Sequence, residues 1–255
     1  MRVVGLISGG KDSCYNLMQC VKNGHTLVGL LNLHPPANQP AGPADELDSY
    51  MYQTVGHQAI EFYSQAIDLP LFRHPILGKP INRGPDYPVE ESGDEVEDLF
   101  IALSNLKRKL EFDAISVGAI LSTYQKVRAE NVCRRLDIDL LCYLWGRSQK
   151  ELLQEMIQEG IHAVIIKTAS MGLEPYKHLG LTLQQMYPVL VNLNSKYGMN
   201  ICGEGGEYET LTLDCPLFKS RLVIEESQIV IHSDDAFAPV GYLKPVRISL
   251  EAKSN

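Results

Sequence analysis

The segment from Ser8 to Ser13, SGGKDS, is the feature that most constrains how this chain can fold. It joins a short apolar run, Val3 to Ile7, to a segment with helical spacing that extends to Lys22, and a second apolar run follows at Val28 to Leu33. Short apolar runs on either side of a helix are typical of parallel strands that are buried on both faces. The sequence therefore predicts a βαβ unit in which a glycine-rich turn links the first strand to the first helix.

Each residue type in this turn suits a bound phosphate. Backbone N–H groups and the N-terminus of the first helix attract an anion, and Gly9 and Gly10 allow the backbone to approach it closely. Lys11 adds a positive charge, and the hydroxyl groups of Ser8 and Ser13 can donate to phosphate oxygens. The turn is predicted to bind the phosphates of a nucleotide. The alternative is a plain strand-to-helix turn with a Gly-Gly kink and a polar cap.

Two other phosphate-binding motifs do not fit this turn. Gly5, Gly10 and Lys11 match the first part of a Walker A motif, but the next position requires a hydroxyl group for Mg²⁺ and holds Asp12. The dinucleotide fingerprint G-x-G-x-x-G cannot be placed on these glycines. Because a carboxylate repels phosphate unless a cation lies between them, Asp12 is predicted to be a ligand of Mg²⁺.

The alternation of strands and helices continues through the first half of the chain. We expect strands at Leu69 to Phe72, Ala114 to Ile120 and Leu140 to Leu144, and helices at Tyr50 to Ala66, Asp94 to Lys109 and Tyr124 to Leu136. This alternation predicts an α/β fold with a doubly wound, mainly parallel sheet. Two polar segments rich in proline, at Pro35 to Pro43 and Gly78 to Gly93, are predicted to be loops that rim a substrate site.

A second alternation of elements begins after Trp145. We expect helices at Ser148 to Glu159 and Leu181 to Lys196, an extended segment at Ala163 to Lys167, and short strands at Leu222 to Glu225, Ile229 to His232 and Val246 to Leu250. Pro188 should kink or break the helix that contains it. The predicted organisation is therefore two units, residues 1–145 and 146–255, of which the second is a smaller α/β domain that faces the substrate.

Charge and cysteine content disfavour several classes of function. The 255 residues include 23 Lys and Arg against 31 Asp and Glu, a net charge of −8, and no segment gathers the basic residues, so binding along nucleic-acid backbones is disfavoured. No apolar run reaches the length of about 18 residues that a membrane helix requires. Six cysteines without a C-x-x-C pair, and the lack of a signal-peptide pattern, predict a cytoplasmic protein with reduced thiols and without structural zinc or an iron–sulfur cluster.

A second group of candidate functional residues lies between Gly203 and Thr210, GEGGEYET. Its three carboxylates, Glu204, Glu207 and Glu209, fall within six residues. Grouped carboxylates repel one another unless they face a cation or water. In an extended strand Glu207 and Glu209 would share one face and form a negative wall. The alternative is a solvated acidic turn before a strand at Thr210 to Leu213.

Four blocks of the sequence together resemble a known family. SGGKDS resembles the PP-loop of the ATP pyrophosphatases, which use ATP to adenylate an oxygen atom and release pyrophosphate. The other blocks are ELDSYMYQT at Glu46 to Thr54, GAILSTYQ at Gly118 to Gln125, continuing to Arg128 and Glu130, and CGEGGEYETLTLDCPLF at Cys202 to Phe218. In this order they are similar to the diphthine–ammonia ligases, or diphthamide synthetases. The end at Asn255 leaves no room for the further C-terminal domains of longer fused members, so we expect the single-module eukaryotic-type form.

The resemblance implies an activity and a set of partners. It implies a sheet of the PP-loop ATP pyrophosphatase type that binds ATP and Mg²⁺. The substrate would be diphthine, a modified histidine of translation elongation factor 2, whose carboxylate is adenylated with release of pyrophosphate. Ammonia, taken up as free ammonium, would then displace AMP and leave the amide.

The resemblance also implies roles for individual residues. Nucleotide binding falls to Ser8, Gly9, Gly10, Lys11, Asp12, Ser13, Gly118, Ala119 and Ser122, with Asp12 as the metal ligand. Catalytic roles fall to Lys11, Glu204, Glu207 and Glu209, of which one glutamate would deprotonate ammonium. Carboxylates and aromatic faces also suit the trimethylammonium group of diphthine. Contact with the substrate falls to Tyr50, Met51, Tyr124, Gln125, Arg128, Gly205, Gly206, Tyr208 and Thr210.

Alternatives remain at several of these positions. The Glu46 to Thr54 block also fits an amphipathic helix that buries Tyr50 and Met51, Arg128 also fits an ordinary surface arginine, and Leu173 to Gly180 fits a solvated loop although it resembles a family segment. The rival functions are a tRNA-modifying PP-loop enzyme, an amide ligase for a small metabolite, and a non-catalytic nucleotide-binding regulatory module. The missing C-x-x-C pairs and the negative charge disfavour the first. The sequence does not fix the oligomeric state.

Overall fold

The computed structural model describes residues 1–36 and 49–253. The first half of the chain forms β1 (Arg2–Leu6), α1 (Lys11–Lys22), β2 (Thr26–His34), a 3-10 segment (His57–Phe62), α2 (Tyr63–Ile67), β3 (Leu71–Pro75), α3 (Glu95–Lys107), β4 (Ala114–Ser116), α4 (Thr123–Leu136) and β5 (Asp139–Leu141). Its five strands pair in the order β3-β2-β1-β4-β5, and every pair is parallel. The prediction of an α/β fold with a doubly wound parallel sheet is confirmed.

The chain order of this sheet determines where a ligand can bind. From β1 the chain moves first to β2 on one side, and later to β4 on the other side. The loops that follow β1 and β4 therefore leave the sheet side by side and open a crevice at the carboxyl ends of the strands. Val3 and Val4 of β1 are fully buried at the centre of the sheet, which fixes the position of the turn from Ser8 to Ser13.

The second half of the chain forms a smaller unit around an antiparallel sheet. Its elements are α5 (Gln149–Gln158), β6 (His162–Thr168), α6 (Pro175–His178), α7 (Leu183–Tyr197), β7 (Tyr208–Asp214), β8 (Ser220–Ser233) and β9 (Val240–Ala252). The strands pair in the order β7-β6-β9-β8. The boundary that we placed at residues 145 and 146 falls between β5 and α5, and the division into two domains stays a prediction.

Three of the predicted elements differ in the structure. The segment from Tyr50 to Ala66 is helical only from His57, because Gly56 adopts a left-handed φ of +77° that ends the extended chain before it. The two predicted strands from Leu222 to His232 are one strand, β8, whose pairing with β9 continues past register shifts at Glu226. Pro188 lies inside α7 and does not break it.

Two predicted segments lie wholly or partly beyond the described residues. The Pro35 to Pro43 loop and the Glu46 to Thr54 block extend into residues 37–48, so only their remaining parts are described. The Gly78 to Gly93 segment is described and contains no helix, which confirms the loop. All six cysteines are free thiols. Within residues 1–36 and 49–253, every helix is too short or too polar to cross a membrane.

The two halves share one apolar core and several polar contacts. A buried cluster joins Ile7 and Ile60 of the first half to Ile165 and Leu211 of the second. The hydroxyl group of Tyr15 in α1 donates to the Glu155 carboxylate in α5 at 2.5 Å. These contacts bring the start of β7 alongside the Ser8 to Ser13 turn.

Candidate active site

A cavity of about 640 Å³ lies at the carboxyl ends of the parallel strands. Residues that follow β1 and β4, the first turn of α4 and the start of β7 all contribute to its wall. It includes most residues that the sequence predicted for the site, namely Ser8, Lys11, Asp12, Ser13, Tyr50, Met51, Gly118, Ala119, Ser122, Tyr124, Gln125, Glu204, Gly205, Gly206, Tyr208, Glu209 and Thr210. The predicted residues that do not line it are Gly9, Gly10, Arg128 and Glu207.

Gly9 and Gly118 are required for different reasons, the first by its backbone conformation and the second by close packing. Gly9 has a φ of +90°, and a Cβ atom there would lie 2.4 Å from Cδ1 of Ile60. A Cβ atom on Gly118, in the loop after β4, would lie 2.6 Å from the backbone carbon of Asp12. Both distances are shorter than real carbon contacts. At Gly118 the neighbour is backbone, so glycine there allows the loops that follow β1 and β4 to touch, whereas at Gly9 the left-handed φ is what requires glycine.

The turn is also held by the second half of the chain. The backbone N–H of Thr212 in β7 donates to the carbonyl oxygen of Gly9 at 2.8 Å, and the N–H of Lys11 donates to Oγ1 of Thr210 at 3.0 Å. The hydroxyl group of Tyr63 donates to the Gly9 carbonyl oxygen at 3.1 Å. The conformation of the turn thus depends on β7 as well as on its own strand and helix.

Lys11 is buried at the junction of the turn and the 202–210 block. Only 2% of it is exposed. Its ammonium group donates to Oδ2 of Asp12 at 2.8 Å and to the carbonyl oxygen of Cys202 at 2.5 Å, and it lies 5.1 Å from the ring centroid of Tyr208. Burial is the largest single influence and lowers the pKa of Lys11, but the Asp12 carboxylate, together with smaller contributions from Tyr208 and Cys202, raises this pKa above its ordinary value. Lys11 therefore brings a full positive charge into the cavity.

The second oxygen of Asp12 fits the predicted Mg²⁺ ligand. Oδ1 of Asp12 is buried and has no hydrogen-bond partner among the described residues. A buried carboxylate oxygen without a donor is a suitable ligand for a hard cation. The described part of the chain contains no cluster of three His, Cys, Asp or Glu side chains that could bind a metal by itself. Phosphate oxygens and water would therefore supply the other ligands of Mg²⁺.

The three carboxylates of the acidic block take three different partners. Oε2 of Glu204 accepts hydrogen bonds from the backbone N–H groups of Ile120, Leu121 and Ser122, at 3.2, 2.7 and 2.9 Å, at the start of α4. This position favours a negative charge because the N–H groups of a helix N-terminus point towards it. Glu204 thereby ties the 203–206 turn to α4.

Glu207 and Glu209 do not face the cavity together. The Glu207 carboxylate accepts hydrogen bonds from the Asn200 side chain at 2.7 Å and from the Gly205 N–H at 2.7 Å, so it braces the turn from within. Glu209 lines the cavity and pairs with Nζ of Lys167 at 3.3 Å. The shared face expected of a strand is absent because β7 begins only at Tyr208. The structure thus brings Glu204 and Glu209, but not Glu207, to the cavity.

Arg128 lies behind the cavity wall. It is completely buried, so the interpretation as a surface arginine is wrong. Its guanidinium group lies 3.4 Å from the ring centroid of Tyr124 and donates to the carbonyl oxygens of Asn82 and Gly84 at 2.6 and 3.1 Å. These contacts fasten the 78–93 loop to α4. The structure does not place Arg128 where it would touch a bound phosphate.

Aromatic rings form the rim of the cavity. The rings of Tyr50 and Tyr124 lie 5.8 Å apart, and the guanidinium group of Arg83 lies 5.2 Å from the Tyr50 ring centroid. The side-chain amide of Gln125 donates to the carbonyl oxygen of Met51 at 3.1 Å, which joins the two rim segments. The rim therefore presents aromatic faces that already accept a cation.

Gln53 and Tyr63 are among the residues that shape the site without having been predicted for it. The Gln53 side chain donates to the carbonyl oxygen of Thr210 at 3.0 Å and lies so close to Gly10 that a Cβ there would be 2.8 Å from its Oε1. Gln53 belongs to the Glu46 to Thr54 block, so the resemblance could have indicated it. Tyr63, which holds Gly9, has no local signal because its partners are 54 and 149 residues away.

The cysteine nearest the site is not a nucleophile. Burial raises the pKa of the Cys202 thiol to about 12, so the thiol is neutral. Its Sγ donates to the carbonyl oxygen of Gln149 at 3.3 Å.

Two family models match the chain. Residues 1–140 match the diphthamide synthase N-terminal domain, and residues 148–244 match the diphthamide synthase C-terminal domain. Among solved structures, a chain described as a predicted subunit of tRNA methyltransferase from Methanocaldococcus jannaschii is similar over 85% of this chain and 98% of its own, with 15% identity and a TM-score of 0.42. A TM-score this low does not bear on function.

Curated relatives are similar over nearly the whole chain. A Bos taurus protein named diphthine–ammonia ligase is 59% identical over 253 residues, which cover 99% of this chain and 94% of that protein. A Danio rerio protein of the same name is 56% identical over 254 residues, covering 100% and 98% of the two chains. One from Schizosaccharomyces pombe is 49% identical over 96% of this chain but only 39% of its own length. The chain therefore belongs to the diphthamide synthase family.

Proposed function

We propose that this protein is a diphthine–ammonia ligase, which converts the carboxylate of diphthine on translation elongation factor 2 into an amide with consumption of ATP. The observation that carries the proposal is the meeting of the phosphate-binding turn and the acidic block at Lys11, in one cavity, in a chain more than half identical to proteins of that name. Lys11 belongs to the phosphate-binding turn, and the carbonyl oxygen of Cys202 that accepts from it borders the acidic block. Both segments are therefore needed to hold the lysine in the cavity. We expect the protein to act in the cytoplasm, where elongation factor 2 works.

The nucleotide is proposed to bind at the turn from Ser8 to Ser13. Backbone N–H groups, the Ser8 hydroxyl group and the Lys11 ammonium group would hold the terminal phosphates, while Gly118, Ala119 and Ser122 border the rest of the nucleotide. Asp12 would bind Mg²⁺ through Oδ1. Mg²⁺ would neutralise negative charge on the phosphates. Held in this way, the two outer phosphates form the leaving pyrophosphate.

The reaction is proposed to have two steps. An oxygen of the diphthine carboxylate attacks the α-phosphorus, and the bond to pyrophosphate breaks, which leaves an acyl adenylate. Ammonia then attacks the carbonyl carbon, the bond to AMP breaks, and the proton lost by the nitrogen passes to a base. Among the predicted glutamates, Glu209 is the best placed for this base because it lines the cavity while Glu204 is occupied by three backbone N–H groups.

The rim fits the cationic part of diphthine. The trimethylammonium group of diphthine would be attracted by the faces of Tyr50 and Tyr124. Arg83 already lies against the Tyr50 ring, which shows that the ring accepts a cation in this environment. We therefore expect Tyr50, Met51, Tyr124 and Gln125 to contact the protein substrate. Gly205, Gly206, Tyr208 and Thr210 would form the opposite wall.

The test is reconstitution with defined substrates. Purified protein is incubated with diphthine-bearing elongation factor 2, ATP, Mg²⁺ and ammonium, and the modified peptide is followed by mass spectrometry. We expect conversion of the carboxylate to the amide, with AMP and pyrophosphate formed in equal amounts. Omission of ammonium should stop amide formation. ADP and phosphate as products, or no amide in the complete mixture, would overturn the proposal.

A further inference from the structure

The first turn of α3 carries three buried carboxylates that form no ion pair among the described residues. Asp94, Glu95 and Asp98 are 1%, 0% and 5% exposed. Burial of a carboxylate is unfavourable unless hydrogen bonds replace its water. Each of these three side chains accepts hydrogen bonds from the backbone of a loop. The turn therefore acts as an anchor for chain segments that have no regular structure of their own.

Glu95 is bonded to four consecutive residues. Its Oε2 accepts from the hydroxyl group of Ser49 at 2.6 Å, and its Oε1 accepts from the N–H groups of Tyr50 and Met51 at 3.2 and 3.1 Å. The hydroxyl group of Tyr52 donates to the backbone carbonyl oxygen of Glu95 at 3.1 Å. Glu95 thus contacts each residue of this stretch, which lies outside any helix or strand, and the Ser49 hydroxyl group adds two bonds within it, from the N–H groups of Met51 and Tyr52.

The other two carboxylates hold a different loop. Asp98 accepts from the N–H groups of Leu77 and Gly78, each at 2.8 Å. Asp94 accepts from the N–H groups of Ile81 and Asn82 at 3.1 and 2.9 Å. Glu95 is therefore the member of the three that serves residues 49–52.

The stretch held by Glu95 forms one wall of the cavity. Residues 49–53 all line it, whereas Glu95 does not. Tyr50 meets Tyr124 at the rim, and the Met51 carbonyl oxygen accepts from Gln125 in α4. Tyr50 is 49% exposed at the opening, where a protein substrate arrives. A change at Glu95 acts on the cavity through this wall, which it contacts directly.

We propose that Glu95 is a positioning residue that holds residues 49–53 in the shape that receives the protein substrate. The inference rests on the proposed function, because it assigns this wall to the substrate of that reaction. The hydrogen bonds require an acceptor oxygen at Oε1 and a polar atom near the Ser49 hydroxyl group. A glutamine side chain keeps the acceptor at Oε1 but puts an amide N–H₂ group against the Ser49 hydroxyl group, whose oxygen already accepts from the N–H groups of Met51 and Tyr52. Alanine supplies neither the acceptor nor the polar atom.

The kinetic test compares Glu95→Ala with Glu95→Gln. For Glu95→Ala we expect KM for diphthine-bearing elongation factor 2 to rise about tenfold or more, because the bonds from Ser49, Tyr50 and Met51 to the buried carboxylate are lost. The KM for ATP should stay within about twofold of the wild type. For Glu95→Gln, which keeps the acceptor at Oε1 and loses the bond from Ser49, we expect a smaller rise in KM for the protein substrate than in Glu95→Ala. The matched control is Glu97→Ala on the same helix, whose carboxylate pairs with Arg135 and Tyr87 away from the cavity. It should leave both KM values unchanged.

A second measurement does not need the reaction. Hydrogen–deuterium exchange of a peptide that contains residues 49–53 should be fastest in Glu95→Ala, intermediate in Glu95→Gln and unchanged in Glu97→Ala. If Glu95→Ala does not fold, as judged by circular dichroism, Ser49→Ala takes its place with a smaller change in the same direction. Failure of the wild type to form amide would count against the proposed function, whereas exchange reports on Glu95 by itself.

Three results would overturn the inference. The first is a folded Glu95→Ala protein with unchanged KM for the protein substrate. The second is an equal rise in KM for ATP and for the protein substrate, which would indicate general loosening of the site. The third is equal damage by alanine and glutamine, because the acceptor geometry would then not be what matters.

Discussion

The phosphate-binding turn and the acidic block are both short, glycine-rich motifs, yet they obtain their geometry in different ways. The turn lies between the strand before it and the helix after it, β1 and α1, and four of its residues, Ser8, Lys11, Asp12 and Ser13, line the cavity. In the block, Glu204, Glu207 and Glu209 bind to α4, to their own turn and to Lys167 respectively. The place of the phosphate-binding turn is set by its neighbours along the chain and β7 then holds its conformation, whereas each carboxylate of the acidic block takes its role from the partner that it meets in the fold.

The largest expected effect is at the centre of the turn. Lys11→Ala should lower kcat by about a hundredfold or more, because it removes a buried positive charge from the place where phosphate charge develops. The matched control is Lys22→Ala at the other end of α1, where the lysine is exposed and pairs with Glu159. Initial rates of AMP formation measure the effect. A Lys11→Ala rate close to the wild-type rate would show that the turn does not act as one site.

The next prediction separates two carboxylates of the block. Glu209→Gln should lower kcat by about tenfold or more with little change in thermal stability, because its carboxylate lines the cavity. Glu207→Ala should do the reverse and lower the free energy of unfolding by about 1–3 kcal/mol, since it leaves the Asn200 and Gly205 donors unpaired. Steady-state rates and urea unfolding of both variants test whether Glu209→Gln changes mainly kcat and Glu207→Ala mainly the free energy of unfolding. Equal effects of the two changes on both measurements would abolish the distinction.

The smallest effect concerns the junction on which both motifs depend. Hydrogen bonds from Arg147 and Tyr15 lower the pKa of Glu155 to about 2. A carboxylate with a lowered pKa stabilises the folded state above its ordinary pKa near 4.5 and loses this contribution as the pH falls towards 2. Because Glu155 is one-third exposed, solvent screening limits the contribution to about 1 kcal/mol.

Urea unfolding between pH 6 and pH 3 measures this contribution. Glu155→Gln should flatten the loss of stability on the acid side, while Glu159→Gln, at the neighbouring exposed pair with Lys22, should leave it as in the wild type. Activity measured at neutral pH should change little in either variant. Parallel acid profiles for Glu155→Gln and the wild type would show that the junction does not depend on this carboxylate.

The parts that sequence could predict are those in which neighbours along the chain set the structure. The βαβ unit, the parallel sheet and the nucleotide turn follow from apolar runs, helical spacing and glycines within a few residues of one another. The resemblance of four blocks added the remaining walls of the cavity, and the structure brings those walls together. What was predicted least well is the segment from Tyr50 to Ala66, where helical spacing was present but the backbone is held by Glu95 instead.

The roles that sequence missed depend on contacts between distant residues. Arg128 is buried because loop residues about 45 positions earlier accept its hydrogen bonds, and no pattern near Arg128 indicates them. Glu207 differs from Glu209 only in that β7 starts between them. Alternation along a strand has meaning only where the strand exists, so the side of each carboxylate could not be settled from spacing.

The contact of Lys11 with Thr210 spans 199 residues, and this has a consequence for how the protein is made. The phosphate-binding turn is synthesised about 200 residues before β7, the strand that holds it. Contacts so distant in sequence form late, because the chain between them must first be ordered. Until β7 has been made, the turn lacks its hydrogen bonds to Thr210 and Thr212, so we expect the nucleotide site to be completed only when the second half of the chain folds.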